Sequence, residues 1–151
     1  MKQIVEKGKT LLVDGPASII ILSGEAEILG APMDLEVKMV VRKGKRVPLE
    51  AKQRAELDLM LGENATVNEV ETSTIPLSWE NAVSTVLRSH EKPVVAMVMG
   101  NVDSGKTSFC TYLANKALKE KRQVAIVDGD LGQSDVGPPT TIGSFKVIKP
   151  I

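Results

Sequence analysis

The feature that most constrains the fold is the octapeptide Gly100-Asn101-Val102-Asp103-Ser104-Gly105-Lys106-Thr107, set between an apolar run and a segment of helical periodicity. It satisfies G-x-x-x-x-G-K-[ST] in full, and the spacing has a chemical reason. Glycines at both ends let the loop wrap closely, so that backbone N–H groups point inward at phosphate oxygens. The helix that opens inside the motif adds the positive end of its dipole. Lys106 can reach the β- and γ-phosphates, and the Thr107 hydroxyl can ligate Mg²⁺. Gly100, Asn101, Val102, Asp103, Ser104, Gly105, Lys106, Thr107 and Ser108 are therefore the candidate nucleotide-binding residues.

Such a loop needs a strand before it and a helix after it. Val94–Met99 is a continuous apolar run of the kind buried on both faces of a parallel sheet. Phe109, Cys110, Leu113, Ala114, Ala117 and Leu118 recur at helical spacing beyond the loop, and Lys116, Lys119, Lys121 and Arg122 crowd the end where cations suit the dipole. Val124–Val127 is the next predicted strand. The reading is the first part of an α/β P-loop NTPase domain with a parallel sheet, over residues 93–151.

Just past that last strand come Asp128-Gly129-Asp130-Leu131-Gly132-Gln133, at the carboxyl end where open α/β sheets bind ligands. An Asp there can hold the Mg²⁺ shell or take the proton from an attacking hydroxyl. The plainer alternative is that Asp128-Gly129 only makes a turn. Gly132 and Gly137-Pro138-Pro139 predict a constrained loop, to whose own hydrogen bonding Asp135 is assigned.

Residues 1–71 have another character, with short β-branched or alternating runs broken by glycine and proline. Leu11–Val13, Ala17–Leu22 and Val37–Val41 read as strands, with Asp14-Gly15-Pro16 as a turn between the first two. In Glu56–Leu61, Leu57, Leu59 and Leu61 share one face. Arg42-Lys43-Gly44-Lys45-Arg46 reads as a charged hairpin tip, either solvated or in contact with a polyanion. This region is expected to be a small all-β domain. Residues 72–92 follow as a Ser/Thr/Pro linker and a short helix, capped by Ser78 and starting at Trp79, with Trp79, Ala82, Val83, Val86 and Leu87 on its packing stripe. Trp79 is expected to be a core anchor, with stacking on a ligand as the alternative, and His90, the only histidine, an exposed end residue.

Composition excludes little but helps. Nineteen basic residues balance 19 acidic ones, so no whole-chain field draws the protein to nucleic acid or membrane. Its apolar stretches are too short to span a bilayer, and one cysteine suits a reducing compartment. A cytoplasmic location is expected, with no membrane partner.

Together GNVDSGKT, DGDLGQSDVGPPT and Ser23-Gly24-Glu25-Ala26-Glu27-Ile28-Leu29-Gly30 resemble the polynucleotide 5′-hydroxyl kinase family, whose members include cleavage-factor and pre-rRNA-processing kinases. IPLSWE and YLAN point to its archaeal branch. The resemblance implies ATP, with GTP also open, together with Mg²⁺ as cofactors, and the 5′-hydroxyl end of RNA or DNA as acceptor. It implies catalytic roles for Lys106 on the transferring phosphate and Asp130 as general base. Thr107, Asp128 and Gln133 would serve the metal, and Asp103 would lie near the phosphates. A residue near Glu6 would contact the purine.

Family members continue through further strands, a lid and a clasp, so the chain is expected to be an N-terminal piece that binds nucleotide with little turnover. A missing C-terminal part or self-association would complete its sheet. Two other readings stay open at this point. One is a P-loop GTPase or ATPase switch, and the other an NTP-binding scaffold of an RNA-processing complex.

Overall fold

The computed structural model describes residues 1–132, 136–138 and 140–150. They form two compact units, Met1–Leu77 and Ser78–Ile151. Among the described residues, no helix is long and apolar enough to cross a membrane.

The first unit holds β1 (Lys2–Val5), β2 (Thr10–Asp14), β3 (Ala17–Ser23), β4 (Ala26–Ile28), β5 (Ala31–Pro32), β6 (Met39–Val41), β7 (Arg46–Ala51), β8 (Ala55–Leu61) and β9 (Val67–Val70). They pair antiparallel in two sheets, ordered β1-β8-β3-β6 and β5-β4-β7-β2-β9. The period-2 pattern decides which side chains go inside. Ile19 lies opposite Leu59 and Ile21 opposite Leu57 in one sheet, and Leu11 lies opposite Leu49 in the other. All six are fully buried in one cluster that draws on both sheets. At about 1.5–3 kcal/mol for each large aliphatic side chain, this cluster is the main term holding the unit together. Leu61, expected on the same face as Leu57 and Leu59, lies beyond the cluster and is exposed.

Two expected turns prove to be corners between sheets. Asp14-Gly15-Pro16 carries the chain from β2 in one sheet to β3 in the other. The basic segment Arg42–Arg46 closes no hairpin, because β6 pairs with β3 whereas β7 pairs with β2 and β4. The two corners lie against each other: a Cβ on Gly15 would fall 2.1 Å from the carbonyl oxygen of Arg42. Arg46 spans the gap with Nε and Nη2 donating to the Asp14 carboxylate at 2.7 and 2.8 Å. Exposed Lys38, Arg42 and Lys43 flank β6, an edge strand, where charge discourages pairing with another chain.

The second unit contains α1 (Leu77–Arg88, its first residue counted with the first unit), α2 (Lys106–Lys119), β10 (Val124–Asp128) and β11 (Gly143–Val147). Helix α1 starts at Leu77, directly after Pro76, so Ser78 stands inside the first turn and not at the cap position expected of it. Val83 is its buried residue, Ala82 is exposed despite its place on the predicted stripe, and His90 is exposed as expected. Helix α2 ends in a Schellman arrangement: Lys121, at φ 60°, donates to Leu118 and Arg122 donates to Ala117.

The parallel ladder expected of Val94–Met99 is not among the pairings of the described residues, where β10 pairs antiparallel with β11. The run alternates instead. Val94, Ala96 and Val98 line an apolar cleft with Leu113, Ala117 and Ile126, while Val95, Met97 and Met99 are more than 80% exposed. The helix side of this segment has apolar neighbours, and no described residue covers the other.

Candidate phosphate-binding site

The loop Gly100–Thr107 joins this one-sided apolar segment to α2, and local geometry explains its residues. A Cβ on Gly100 would lie 2.5 Å from Ser104 Oγ, so a larger residue there would have to turn the serine hydroxyl aside. Gly105 adopts φ +86° as the residue preceding α2, a left-handed conformation that side chains disfavour. Asp103 is left-handed too, at φ 57°. Within the loop, Ser104 N–H donates to the Asn101 carbonyl at 3.3 Å, and Phe109 N–H donates to Gly105 at 2.9 Å as the helix begins.

The head of α2 has the properties an anion requires. No side chain caps it, and no acidic residue stands in its first turn, so its leading N–H groups and dipole are open to an incoming phosphate. Asn101, Val102, Asp103, Ser104 and Thr107 are exposed, and Lys106 and Ser108 are half-buried. Lys106 Nζ donates to the carbonyl of Asn101 at 2.9 Å, folding the ammonium back over its own loop.

The acidic loop after β10 is shaped by its own carboxylates. Asp130 N–H donates to Asp128 Oδ1 at 3.0 Å, and Gly132 N–H donates to Asp130 Oδ1 at 3.1 Å. Thr140 N–H closes back on the Leu131 carbonyl at 3.0 Å. Asp128 is electrostatically coupled to α2: burial, and then the charge of Asp128, push the Cys110 thiol above its usual range. Cys110 lies one helical turn after Lys106 and Thr107 on α2.

A hydroxyl and a carboxylate, as Thr107 and Asp128 supply, are donor types that Mg²⁺ takes beside phosphates, where it keeps several waters and one or two protein ligands. No cluster of three or more His, Cys, Asp or Glu that could form an all-protein cage exists among the described residues. Gln133 and Asp135 lie outside the described residues. Glu6 belongs to the first unit, where Arg54 Nε donates to it at 3.2 Å. One buried residue of α2, Tyr112, escaped the sequence reading because it falls off the apolar stripe. Its signal was the rarity of aromatics, of which the chain has four.

The chain is similar to several known proteins. Residues 100–151 match the family described as mRNA cleavage and polyadenylation factor CLP1 P-loop. A polyribonucleotide 5′-hydroxyl-kinase of Methanocaldococcus jannaschii is 44% identical over 71 residues, covering 47% of this chain and 19% of that protein. The protein CLP1 homolog of Brugia malayi is 30% identical over 149 residues, covering 91% of this chain and 34% of that protein. The polynucleotide 5′-hydroxyl-kinase NOL9 of Arabidopsis thaliana is 40% identical over 77 residues, covering 51% of this chain and 21% of that one. Among solved structures, a wild-type Clp1p–Pcf11p complex superposes with a TM-score of 0.78 at 20% identity, over 97% of this chain and 36% of that chain, which speaks to the fold alone. The chain spans about a third or less of each of these proteins. Residues 100–151 thus belong with the CLP1 P-loop family, and the chain is similar over part of its length to polynucleotide 5′-hydroxyl kinases.

Proposed function

We propose that the protein carrying this chain transfers the γ-phosphate of ATP to the 5′-hydroxyl of RNA or DNA. The observation that carries the reading is the uncapped head of α2, free of acidic residues, entered through a loop over which Lys106 folds back onto Asn101. In the reaction the acceptor oxygen attacks the γ-phosphorus as the bond to the β,γ-bridging oxygen breaks, and ADP leaves. Asp130 takes the hydroxyl proton, and Lys106 with the α2 N–H groups offsets charge on the transferring group. Mg²⁺, when bound, neutralises charge on the β- and γ-oxygens, with Thr107 and Asp128 as its protein ligands and Gln133 as a third candidate. The relatives named as 5′-hydroxyl kinases support this chemistry.

The 151-residue chain alone is expected to bind nucleotide with little turnover. We place the protein in the cytoplasm, where Cys110 stays reduced.

The test is incubation of a protein of the relatives' full length with Mg²⁺, γ-labelled ATP and 5′-hydroxyl RNA or DNA. Label at the 5′ end is expected; nucleotide hydrolysis that never labels either polymer would point to a GTPase or ATPase switch, which competition between ATP and GTP would then type. A second reading has one observation in its favour. Asp130 is already engaged by Gly132 N–H, as a purely structural carboxylate would be. If the protein is an NTP-holding scaffold, Asp130→Asn leaves function intact and Lys106→Ala disrupts assembly.

A further inference from the structure

Aromatic side chains are scarce in this chain, with one Trp, one Tyr and two Phe. All but one of them meet at the joint between α1 and the head of α2. The rings of Trp79 and Phe109 lie edge to face, with centroids 5.3 Å apart and planes at 76°. Trp79 and Tyr112 are 6.2 Å apart at 39°. Lys116 Nζ stands 5.2 Å from the Tyr112 centroid, closing the far side of the cluster. Phe109 and Tyr112 are three residues apart on α2, so both project from one side of that helix toward Trp79.

The cluster also reaches the phosphate loop. A Cβ on Gly105 would lie 3.3 Å from Trp79 Cζ2 and 3.7 Å from Cη2. The indole edge is thus in van der Waals reach of the left-handed residue at which the loop becomes the helix. Any rotation of the Gly105 peptide re-aims the N–H groups of Lys106 and Thr107, which follow it directly. Phosphate binding depends on those groups converging, and positional error at such a site is costly.

We infer that Trp79 is a positioning residue for the nucleotide: its indole holds the Gly105 backbone so that the head of α2 presents its N–H groups to phosphate. The inference rests on the nucleotide-binding reading above and adds a residue to it from α1, outside the motif. A residue that merely filled core space would change the melting temperature and leave nucleotide affinity alone. A positioning residue changes affinity in a protein that is still folded, and its own environment changes when phosphate arrives.

Trp79 is the only tryptophan, so its emission reports that environment without labelling. The experiment titrates the 151-residue chain with Mg-ATP by calorimetry, and in parallel by tryptophan emission. The wild-type emission should shift in intensity or wavelength along the calorimetric binding curve. Trp79→Leu, shown folded by circular dichroism, should bind Mg-ATP about 10-fold or more weakly, and Trp79→Phe, whose shorter ring lacks the Cζ2–Cη2 edge that faces Gly105, should lose affinity as well.

Wild-type affinity in folded Trp79→Leu would overturn the inference. So would a wild-type emission unmoved at saturating nucleotide, which decides the matter even if Trp79→Leu fails to fold. Absence of calorimetric binding to the wild type would overturn the nucleotide reading itself, and the inference with it.

Discussion

The Nζ of Lys106 donates a 2.9 Å hydrogen bond to the carbonyl oxygen of Asn101, inside the loop that is to hold the phosphates. The ammonium thus has a partner before nucleotide arrives, and binding exchanges a carbonyl for phosphate oxygens. A charge-assisted hydrogen bond contributes about 1.5–3 kcal/mol net, and about 1.4 kcal/mol is tenfold in affinity. Lys106→Met is therefore expected to weaken Mg-ATP binding about 10- to 100-fold while the nucleotide-free melting temperature changes little. Calorimetric titration of both proteins checks this, and equal affinities would remove Lys106 from the site.

Asp130 has one observed contact and one proposed role, which a single substitution separates. Its Oδ1 accepts from Gly132 N–H at 3.1 Å, and its charge is what a general base requires. Asn at this position keeps the acceptor oxygen and loses the basicity. In a protein of the relatives' full length, Asp130→Asn should lower kcat for 5′ phosphorylation about 10²- to 10⁴-fold, with Mg-ATP affinity within about 3-fold of wild type. A matching fall in affinity would show that Asp130 shapes the nucleotide site and is not its base.

The Ser23–Gly30 stretch that carries part of the family resemblance acts through structure. It takes the chain from β3 in one sheet across to β4 in the other. Gly24 sits at φ +87°, and a Cβ there would lie 2.1 Å from the Arg54 carbonyl oxygen. Gly24→Ala must bear the left-handed strain, about 1–2 kcal/mol, and in addition push a backbone segment away. A loss of at least about 2 kcal/mol in urea unfolding is expected, against almost none for Gly44→Ala beyond its φ penalty, since no atom lies within 4 Å of a Cβ at Gly44. Equal losses at the two positions would mean that conformation, and not the close approach, sets the requirement at Gly24.

What the sequence made legible follows from the range of each constraint. The loop was legible as a motif because its pattern is local: spacing alone brings Gly100, Gly105, Lys106 and Thr107 together at the head of α2. Leu57 and Leu59 were legible because alternation over a few residues already separates core from solvent, whereas Ile19–Leu22 is apolar throughout and only the register shows that Ile19 and Ile21 go inside. The Arg42–Arg46 segment has the residues of a tight turn, but turn chemistry does not say which sheet receives the next strand, and so a corner was read as a hairpin. Val94–Met99 is apolar at every position, and whether both faces are buried depends on distant neighbours that composition cannot name. Tyr112 faces α1, away from the cleft filled by Leu113 and Ala117, so a single-stripe reading of α2 passes over it.

The corner between β2 and β3 carries a pH dependence. Arg46 donates to both carboxylate oxygens of Asp14, and Thr66 Oγ1 donates to Oδ2 at 2.6 Å. First the Arg46 hydrogen bonds and then that of Thr66 hold the Asp14 carboxyl at about 2, against an ordinary value of 3.8. The folded-state pKa lies below the unfolded one, so the native state binds the proton less readily than the unfolded chain. The stabilisation is therefore complete above about pH 4 and disappears as the pH falls toward about 2. The pair is solvent-facing, so salt should also weaken it. Asp14→Asn keeps one acceptor and loses the charge. The gap in urea midpoint between wild type and Asp14→Asn should be constant from about pH 5 to 7, narrow below about pH 4, and close near pH 2. Raising the ionic strength to about 1 M at neutral pH should shrink the same gap. A gap that persists unchanged at pH 2 would assign the role of Asp14 to the geometry of its Thr66 bond and the corner backbone, leaving the charge of Arg46 without a part in stability.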